Sequence, residues 1–412
     1  MVRYLFSNTI SNGVNFLSRW LFNYGLARFM SLSEFGIFSF ISSLANLFKS
    51  FMSFGGQLYL IYKVSKAKDQ KYYYYFKSSL LSIIIALGIS LCLFFVKLFD
   101  QEIINTNHFL FAVLLGSFMV LIQNTYSFFK GSGAFEKEAK GYFIFLTLIV
   151  CSLICFQYNL LVPSLINILI IVLCIHILLF IFSTVQLFLY YKKDNSTKEI
   201  GKIINDMKGF IKERVPYGFH ELQSALYLNA IIIIMGFLVK KQDLALYRSI
   251  QIIIVPISIL PMIFSQVLLK QLTENINNRV YFNKLFRKFL LFALMTGLFL
   301  FTLFYFNGDL VIKLFYGERF DEIEYINQLL LIFASTYLFR FISANYGVLI
   351  TAKDKQKIRM YATSALIVVT VTTTILLTKS LGVLGAAYAN AISYFFIMVV
   401  YIIYSEIKLL RN

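Results

Sequence analysis

Charged residues are scarce in this sequence, and acidic residues are fewer than basic residues. Asp, Glu, Lys and Arg together make up 14% of the 412 residues, whereas hydrophobic residues make up 59%. A soluble domain carries roughly 25% charged residues, since polar side chains must cover its surface. The composition therefore excludes a soluble globular protein, and the mean hydropathy of +0.75 indicates a chain whose solvent is lipid.

Cysteine and several catalytic motifs are also rare or missing. The four cysteines lie in or beside apolar runs without the spacing of a metal site, so we assign them no chemistry. The sequence lacks a phosphate-binding loop and the patterns HExxH, GxSxG and CxxC. These absences argue against an ATP-driven pump or a hydrolase. We therefore expect no enzyme activity, no metal and no cofactor.

Long apolar runs are what the sequence has in abundance. Their lengths are close to the roughly 20 residues that a helix needs to cross a bilayer, and they lack the alternation of a barrel strand. We predict an all-α polytopic membrane protein of about 12 transmembrane helices. The predicted spans are 5–28, 35–62, 76–96, 109–129, 142–161, 164–190, 215–238, 245–269, 289–306, 327–350, 360–378 and 381–404.

Basic residues are concentrated in alternate connections between these spans. Cytoplasmic loops collect Lys and Arg, so we expect both termini in the cytoplasm. The net charge of +18 then reflects topology, and no nucleic-acid partner is expected. The longest connection, 191–214, separates a predicted N-terminal lobe (1–190) from a C-terminal lobe (215–412). The basic segments are Arg3, 63–77, 130–140, 192–214, 270–288, 353–359 and 408–411.

Three cations fall inside predicted spans, and polar residues accompany them at helical spacing. A charged side chain near the bilayer centre costs at least about 2.5–3.5 kcal/mol, so these cations are expected to face a cavity. Small polar residues can also serve helix packing, which is the simpler interpretation of the serines. The stripes are Asn8, Asn12, Asn15, Arg19 and Asn23 in span one, Ser39, Ser42, Asn46, Lys49, Ser53 and Gln57 in span two, and Thr336, Arg340, Ser343 and Gly347 in span ten.

The seventh span contains the carboxylate that we place inside the membrane. Glu221 lies about two turns into this span, next to His220. It is a candidate to carry a coupling proton or to neutralise one of the intramembrane cations, and the sequence leaves both alternatives open. Arg214, at the start of the span, is expected to anchor the helix at the cytoplasmic interface.

Four segments match the pattern of a known family of membrane transporters. LARFMSLSEFGIFS (26–39) resembles the first external turn of that family, and LALYRSI (244–250) resembles the start of its span eight. GVLITAKDK (347–355) is similar to the short basic turn after span ten, and LGVLGAAYAN (381–390) is similar to the start of the last span. Because the matches occur in the family's order along nearly the whole chain, the chain resembles the Wzx-type O-antigen flippases of the polysaccharide transporter family, within the MATE-like exporter superfamily.

This resemblance implies two six-helix lobes around a central cationic cavity, in a bacterial inner membrane. The implied cargo is an undecaprenyl-pyrophosphate-linked repeat unit of O-antigen or capsule type, moved to the outer leaflet by alternating access. Implied partners are this lipid-linked glycan, membrane lipid, and the polymerase and other proteins of the same pathway. Cations in spans one and two are also a feature of the related lipid II flippases, which adds Arg28 to the candidates.

The candidate residues and the rival functions follow from these arguments. A membrane-embedded polymerase or glycosyltransferase of the same pathway and an ion-coupled small-molecule exporter are the alternatives. Arg340 is included on its charge, without a matched motif. The substrate-binding candidates are Arg19, Lys49, Arg340, Arg28, Asn12, Asn15 and Asn46, and the ion-coupling candidates are Glu221 and His220.

Overall fold

The computed structural model describes residues 2–66, 70–99, 106–191 and 207–410. Within these ranges the regular structure is entirely helical. A 3-10 helix, Val255–Ser258, joins α9 to α10, and a π-helix, Glu406–Leu410, follows α13. The helices are α1 (Val2–Phe29), α2 (Leu32–Ser53), α3 (Gly56–Lys66), α4 (Lys71–Phe99), α5 (Thr106–Gly131), α6 (Phe135–Gln157), α7 (Leu165–Tyr191), α8 (Met207–Leu238), α9 (Lys241–Ile254), α10 (Ile259–Glu274), α11 (Arg279–Tyr316), α12 (Ile326–Ala352) and α13 (Gln356–Ser405).

These helices confirm the predicted all-α membrane fold. Nine segments of the described chain are long and apolar enough to cross a membrane. One of them, Gln356–Leu410, holds two predicted spans, because Gly382 leaves the helical conformation (φ +58°, ψ −134°) in the middle of α13. The 28-residue α1 and the α9–α10 pair correspond to the remaining two predicted spans. The protein is thus a multi-pass membrane protein.

The chain forms two compact units, Met1–Asn229 and Ala230–Asn412. In the first unit, α5 lies at the centre and packs against α2, α3, α4, α6 and α7. Gly116 lets α5 approach α2 closely, because a Cβ there would lie 3.0 Å from the carbonyl oxygen of Ala45. In the second unit, α12 is central and packs against α9, α10, α11 and α13.

The boundary between the units falls within α8, so the first part of the seventh predicted span belongs to the first unit. The predicted lobes, 1–190 and 215–412, remain a prediction. Most of the predicted connection between them, 192–206, lies outside the described residues.

The second predicted span, 35–62, is two helices instead of one. Helix α2 ends at Ser53, and both Phe54 (φ +40°) and Gly55 (φ +77°) adopt left-handed backbone conformations before α3 begins. We call this two-residue interruption the α2–α3 break. Glycine tolerates such a conformation readily, whereas phenylalanine adopts it only when surrounding contacts hold it. The contacts that do so come from α8.

Candidate functional site

A polar cavity of about 310 Å³ lies inside the first unit. Six helices contribute to its wall: α1, α2, α3, α5, α6 and α7. Its remaining lining is apolar and includes Phe16 and Leu179. The polar residues that line it are Asn12, Asn15, Arg19, Lys49, Gln57, Gln123, Tyr126, Tyr142 and His176.

Four predicted substrate-binding residues meet in this cavity: Asn12, Asn15, Arg19 and Lys49. The spacing along α1 places the first three on one face of the helix. Asn15 also orients the guanidinium, since its Oδ1 accepts a hydrogen bond of 3.0 Å from Arg19 Nε. Three members of the polar stripe of the first span therefore line a cavity.

Lys49 brings the second cation into the cavity from α2. Its side chain is half-buried, and it lies within electrostatic range of both Arg19 and Glu221. Among the described residues that line the cavity, none is acidic. Two cations in a partly desolvated space therefore create a positive potential that favours an anionic ligand.

Further uncharged hydrogen-bonding groups complete the polar lining. Gln123 Nε2 donates to Gln57 Oε1 at 3.0 Å, linking α5 to α3. Tyr126 and Tyr142 pack edge to face with ring centroids 5.3 Å apart. Amides and phenolic hydroxyls of this kind can bind the hydroxyl groups of a sugar.

Sequence reasoning missed the contribution of α5, α6 and α7 to this site. His176 lines the cavity from α7, with Nδ1 2.8 Å from the carbonyl oxygen of Val172 and its ring edge to face with Phe145. On α5, the three-residue spacing of Gln123 and Tyr126 was an available signal. For His176 there was none, because the residues around it in α7 are uniformly apolar.

The other predicted binding residues lie outside this cavity. Arg28 is exposed near the end of α1 and donates to the hydroxyl of Tyr24 at 3.3 Å. Asn46 donates to the carbonyl oxygen of its own helix at Ser42, at 2.9 Å. Both remain candidates by prediction only.

Arg340 belongs to the second unit. Its guanidinium carbon lies 5.4 Å from the ring centre of Tyr337 and 5.7 Å from that of Tyr394. These cation–π contacts stabilise a half-buried arginine in place. Its predicted role in substrate binding therefore remains a prediction.

The ion-coupling candidates have different surroundings. His220 is exposed on α8. The carboxylate of Glu221 is half-buried, and its Oε2 accepts hydrogen bonds from Ser53 Oγ at 3.0 Å and from the backbone N–H of Gly55 at 2.8 Å. Glu221 therefore contacts the α2–α3 break directly.

Arg214 also contacts the break. Its side chain is 0% exposed, and it donates to the backbone carbonyls of Ser53 and of Phe54, the latter at 3.2 Å from Nε. The structure thus buries Arg214 inside the first unit, and its predicted position at the cytoplasmic interface remains a prediction. Its role is to satisfy carbonyl groups that the end of α2 leaves without helical partners.

Known proteins share this architecture. The fold is similar to that of an inward-facing multidrug resistance MATE family transporter of the MOP superfamily, at 12% identity over 97% of this chain and 98% of that one, with a TM-score of 0.70. It is also similar to the lipid II flippase MurJ in an inward closed conformation, at 16% identity over 98% and 88% of the two chains, with a TM-score of 0.71. At these identities the similarity shows the fold alone.

A third solved structure is a MOP superfamily transporter from Pyrococcus furiosus, at 14% identity over 100% of this chain and 96% of that one, with a TM-score of 0.60. No curated protein matches the sequence. Residues 1–275 match the model of a family described as polysaccharide biosynthesis protein, which covers more than half of the chain. The chain therefore belongs to the polysaccharide biosynthesis protein family and has the fold of the MATE-like transporters.

Proposed function

We propose that this protein is a flippase for a polyprenyl-pyrophosphate-linked oligosaccharide. It moves the glycan headgroup from the cytoplasmic to the outer leaflet of a bacterial inner membrane. The observation that carries the proposal is the cavity of the first unit, which combines two cations with amide and phenol groups. A ligand that fits this lining has an anionic part and a part rich in hydroxyl groups.

The cations suit a pyrophosphate. Arg19 presents a planar guanidinium, fixed by Asn15, that can bind two phosphate oxygens, and Lys49 adds a compact point charge. Hydrogen bonds between charged partners are about twice as strong as neutral ones. They offset part of the cost of removing a phosphate from water.

The uncharged groups suit sugars. The amides of Asn12, Gln57 and Gln123 and the hydroxyls of the two tyrosines offer both donors and acceptors. A volume of about 310 Å³ is at the lower end of the range of small-molecule pockets, about 300–1,000 Å³. The cavity therefore suits the headgroup next to the phosphates, while the polyprenyl chain stays in lipid.

The family and fold support transport of a lipid-linked substrate. The chain belongs to a polysaccharide biosynthesis family, and one protein of the same fold is a lipid II flippase. Transport then proceeds by alternating access, with undecaprenyl as the lipid and an O-antigen or capsule repeat unit as the glycan. The distribution of Lys and Arg supports cytoplasmic termini. The pathway's polymerase, which uses the product, is the expected protein partner.

The proposal is tested by mass spectrometry of polyprenyl-linked glycans from a deletion strain. We expect a complete lipid-linked repeat unit to accumulate and to disappear when the wild-type protein is restored. Arg19→Ala and Lys49→Ala should each lower the rate of glycan clearance by more than about tenfold and fail to restore surface glycan fully, because each removes a charge-assisted contact.

Lys140→Ala is the matched control, since it removes a cation from an exposed position of α6 outside the cavity. This variant should clear the glycan as wild type does. A deletion strain with normal surface glycan and no accumulated intermediate would contradict the proposal and favour a small-molecule exporter. Accumulated glycans of altered mass, without a complete repeat unit, would favour a membrane enzyme of the pathway.

A further inference from the structure

One face of α8 packs against the α2–α3 break, and three residues of that face contact it or the residue before it. Arg214, Gly218 and Glu221 recur at steps of four and three, so they share a face of the helix. Gly218 lies against the ring of Phe54, where an added Cβ would be 2.9 Å from the ring. A Cβ added to Gly55 would overlap the backbone nitrogen of Gly218. The two backbones therefore meet where both residues are glycine.

The charges on this face are matched to the helix ends that they contact. The last carbonyls of a helix carry a partial negative charge, and its first N–H groups carry a partial positive charge. Arg214 donates to carbonyls at the end of α2, and Glu221 accepts from the N–H of Gly55 just before α3. The break is therefore held by a cation at one side and an anion at the other.

Glu221 also acts on the cavity, through Lys49. Lys49 lies one turn before Ser53 in α2, and the hydroxyl of Ser53 donates to Glu221 at 3.0 Å. Lys49 and Arg214 both lie within electrostatic range of Glu221. Glu221 does not line the cavity, so it acts on a cavity ligand only through its charge.

We propose that Glu221 is the internal counterion of Lys49 and that it weakens the binding of the transported anion so that the anion can leave. This inference rests on the proposed function of the cavity as an anion site. A transporter must bind its cargo well enough to load it and weakly enough to release it. A carboxylate near Lys49 opposes a second negative charge there, and so it lowers affinity and speeds release.

The test uses Glu221→Gln, which keeps one acceptor oxygen for the break and removes the negative charge. The probe is inorganic pyrophosphate, added to the full-length protein in lipid nanodiscs. Binding is followed by the fluorescence of Trp20, the single tryptophan, which directly follows Arg19. We expect Glu221→Gln to bind pyrophosphate about tenfold more tightly than wild type. In cells, it should clear the lipid-linked glycan more slowly.

The dependence on Lys49 is tested by a double-mutant cycle. In a Lys49→Ala background, Glu221→Gln should bring no further gain in affinity, because the balanced cation is absent. Glu213→Gln is the matched control: it neutralises an exposed carboxylate on the same helix that pairs with Lys63 at 2.6 Å. It should leave pyrophosphate affinity unchanged.

The outcomes separate this inference from the proposed function. If wild type binds pyrophosphate through Lys49 but Glu221→Gln does not bind it more tightly, the counterion role is wrong and the anion site stands. A gain that persists in the Lys49→Ala background also overturns the role. If wild type does not bind pyrophosphate, the anion site itself fails. If Glu221→Gln does not fold, Glu221→Ser replaces it, since it also removes the negative charge and keeps a hydroxyl oxygen as an acceptor; the same gain in affinity is expected.

Discussion

Asn15 and Arg19 illustrate how single residues build the cavity. The amide holds the guanidinium at 3.0 Å, one helical turn away, so the arginine is oriented before any ligand arrives. A planar guanidinium contributes most to phosphate binding when its geometry is fixed in advance. In the proposed function, we therefore expect Asn15 to act on the ligand partly through Arg19.

Replacing Asn15 by Ala should reduce glycan clearance, though less than Arg19→Ala does. A hydrogen bond to a charged group contributes about 1.5–3 kcal/mol, and we expect a loss of roughly tenfold, at the lower end of this range, because the guanidinium itself remains. Because the amide acts partly through the guanidinium, the double variant should be only slightly slower than Arg19→Ala alone. Clearance rates of the three variants, measured at equal expression, test this. Losses that multiply fully would show that Asn15 acts independently.

At the scale of residues, the sequence predicted the charged half of the cavity better than the neutral half. Arg19 and Lys49 stand out because a charge inside a membrane span needs a polar surrounding. Glutamine, tyrosine and histidine carry no such requirement, and His176 lies among apolar residues of α7. A second buried carboxylate, Glu138, was also missed. It pairs with Lys130 at 3.0 Å near the start of α6, where a loop position was expected.

At the scale of elements, the α2–α3 break is the feature that the hydropathy pattern did not predict. An apolar run from 35 to 62 gives no reason to end a helix at Ser53. The adjacent glycines Gly55 and Gly56 were a local signal for an interruption. The partners that stabilise it, Arg214 and Glu221, lie about 160 residues further along the chain. Their contact with the break is a tertiary interaction, so it could not be predicted from the local sequence.

Gly55→Ala should destabilise the protein strongly, and Gly133→Ala should not. The two glycines have nearly the same φ, +77° and +78°, so both substitutions carry a similar conformational cost of about 1–2 kcal/mol. Only Gly55 faces another backbone, whereas a Cβ at Gly133 meets nothing within 4 Å. Thermal unfolding in detergent should show a clearly lower midpoint for Gly55→Ala. Equal midpoints would mean that the crossing with α8 is not close-packed in solution.

At the scale of the whole molecule, the two halves of the chain repeat one plan. The second span of each half is interrupted, by Phe54 and Gly55 in one case and by a 3-10 helix containing Pro256 in the other. The fourth span of each half, α5 or α12, is the central helix of its unit. The number of spans was predictable from apolar length, since the bilayer sets that length. The division into two units after Asn229 was not predictable from the sequence, because it depends on how α8 packs against the other helices.

The predicted orientation can be tested with single cysteines in a background that lacks the four native ones. Asn159→Cys lies in the turn after α6, and Glu136→Cys lies in the first turn of α6; both positions are exposed. If the basic loops are cytoplasmic, a membrane-impermeant maleimide added to intact spheroplasts should label position 159 and leave position 136 unlabelled. Permeabilised cells provide the control, since both positions should then react. The reverse pattern would place the termini outside.

The proposed headgroup site has a consequence for how cargo choice would be inherited. All residues that line the cavity lie between positions 12 and 179, so a single contiguous stretch of chain supplies the whole proposed site. Recombination between genes of one family would then transfer cargo preference whenever it exchanged the segment that encodes residues 12–179. A chimaera that exchanges this segment for that of a relative with a different glycan would carry the relative's selectivity on an otherwise unchanged protein.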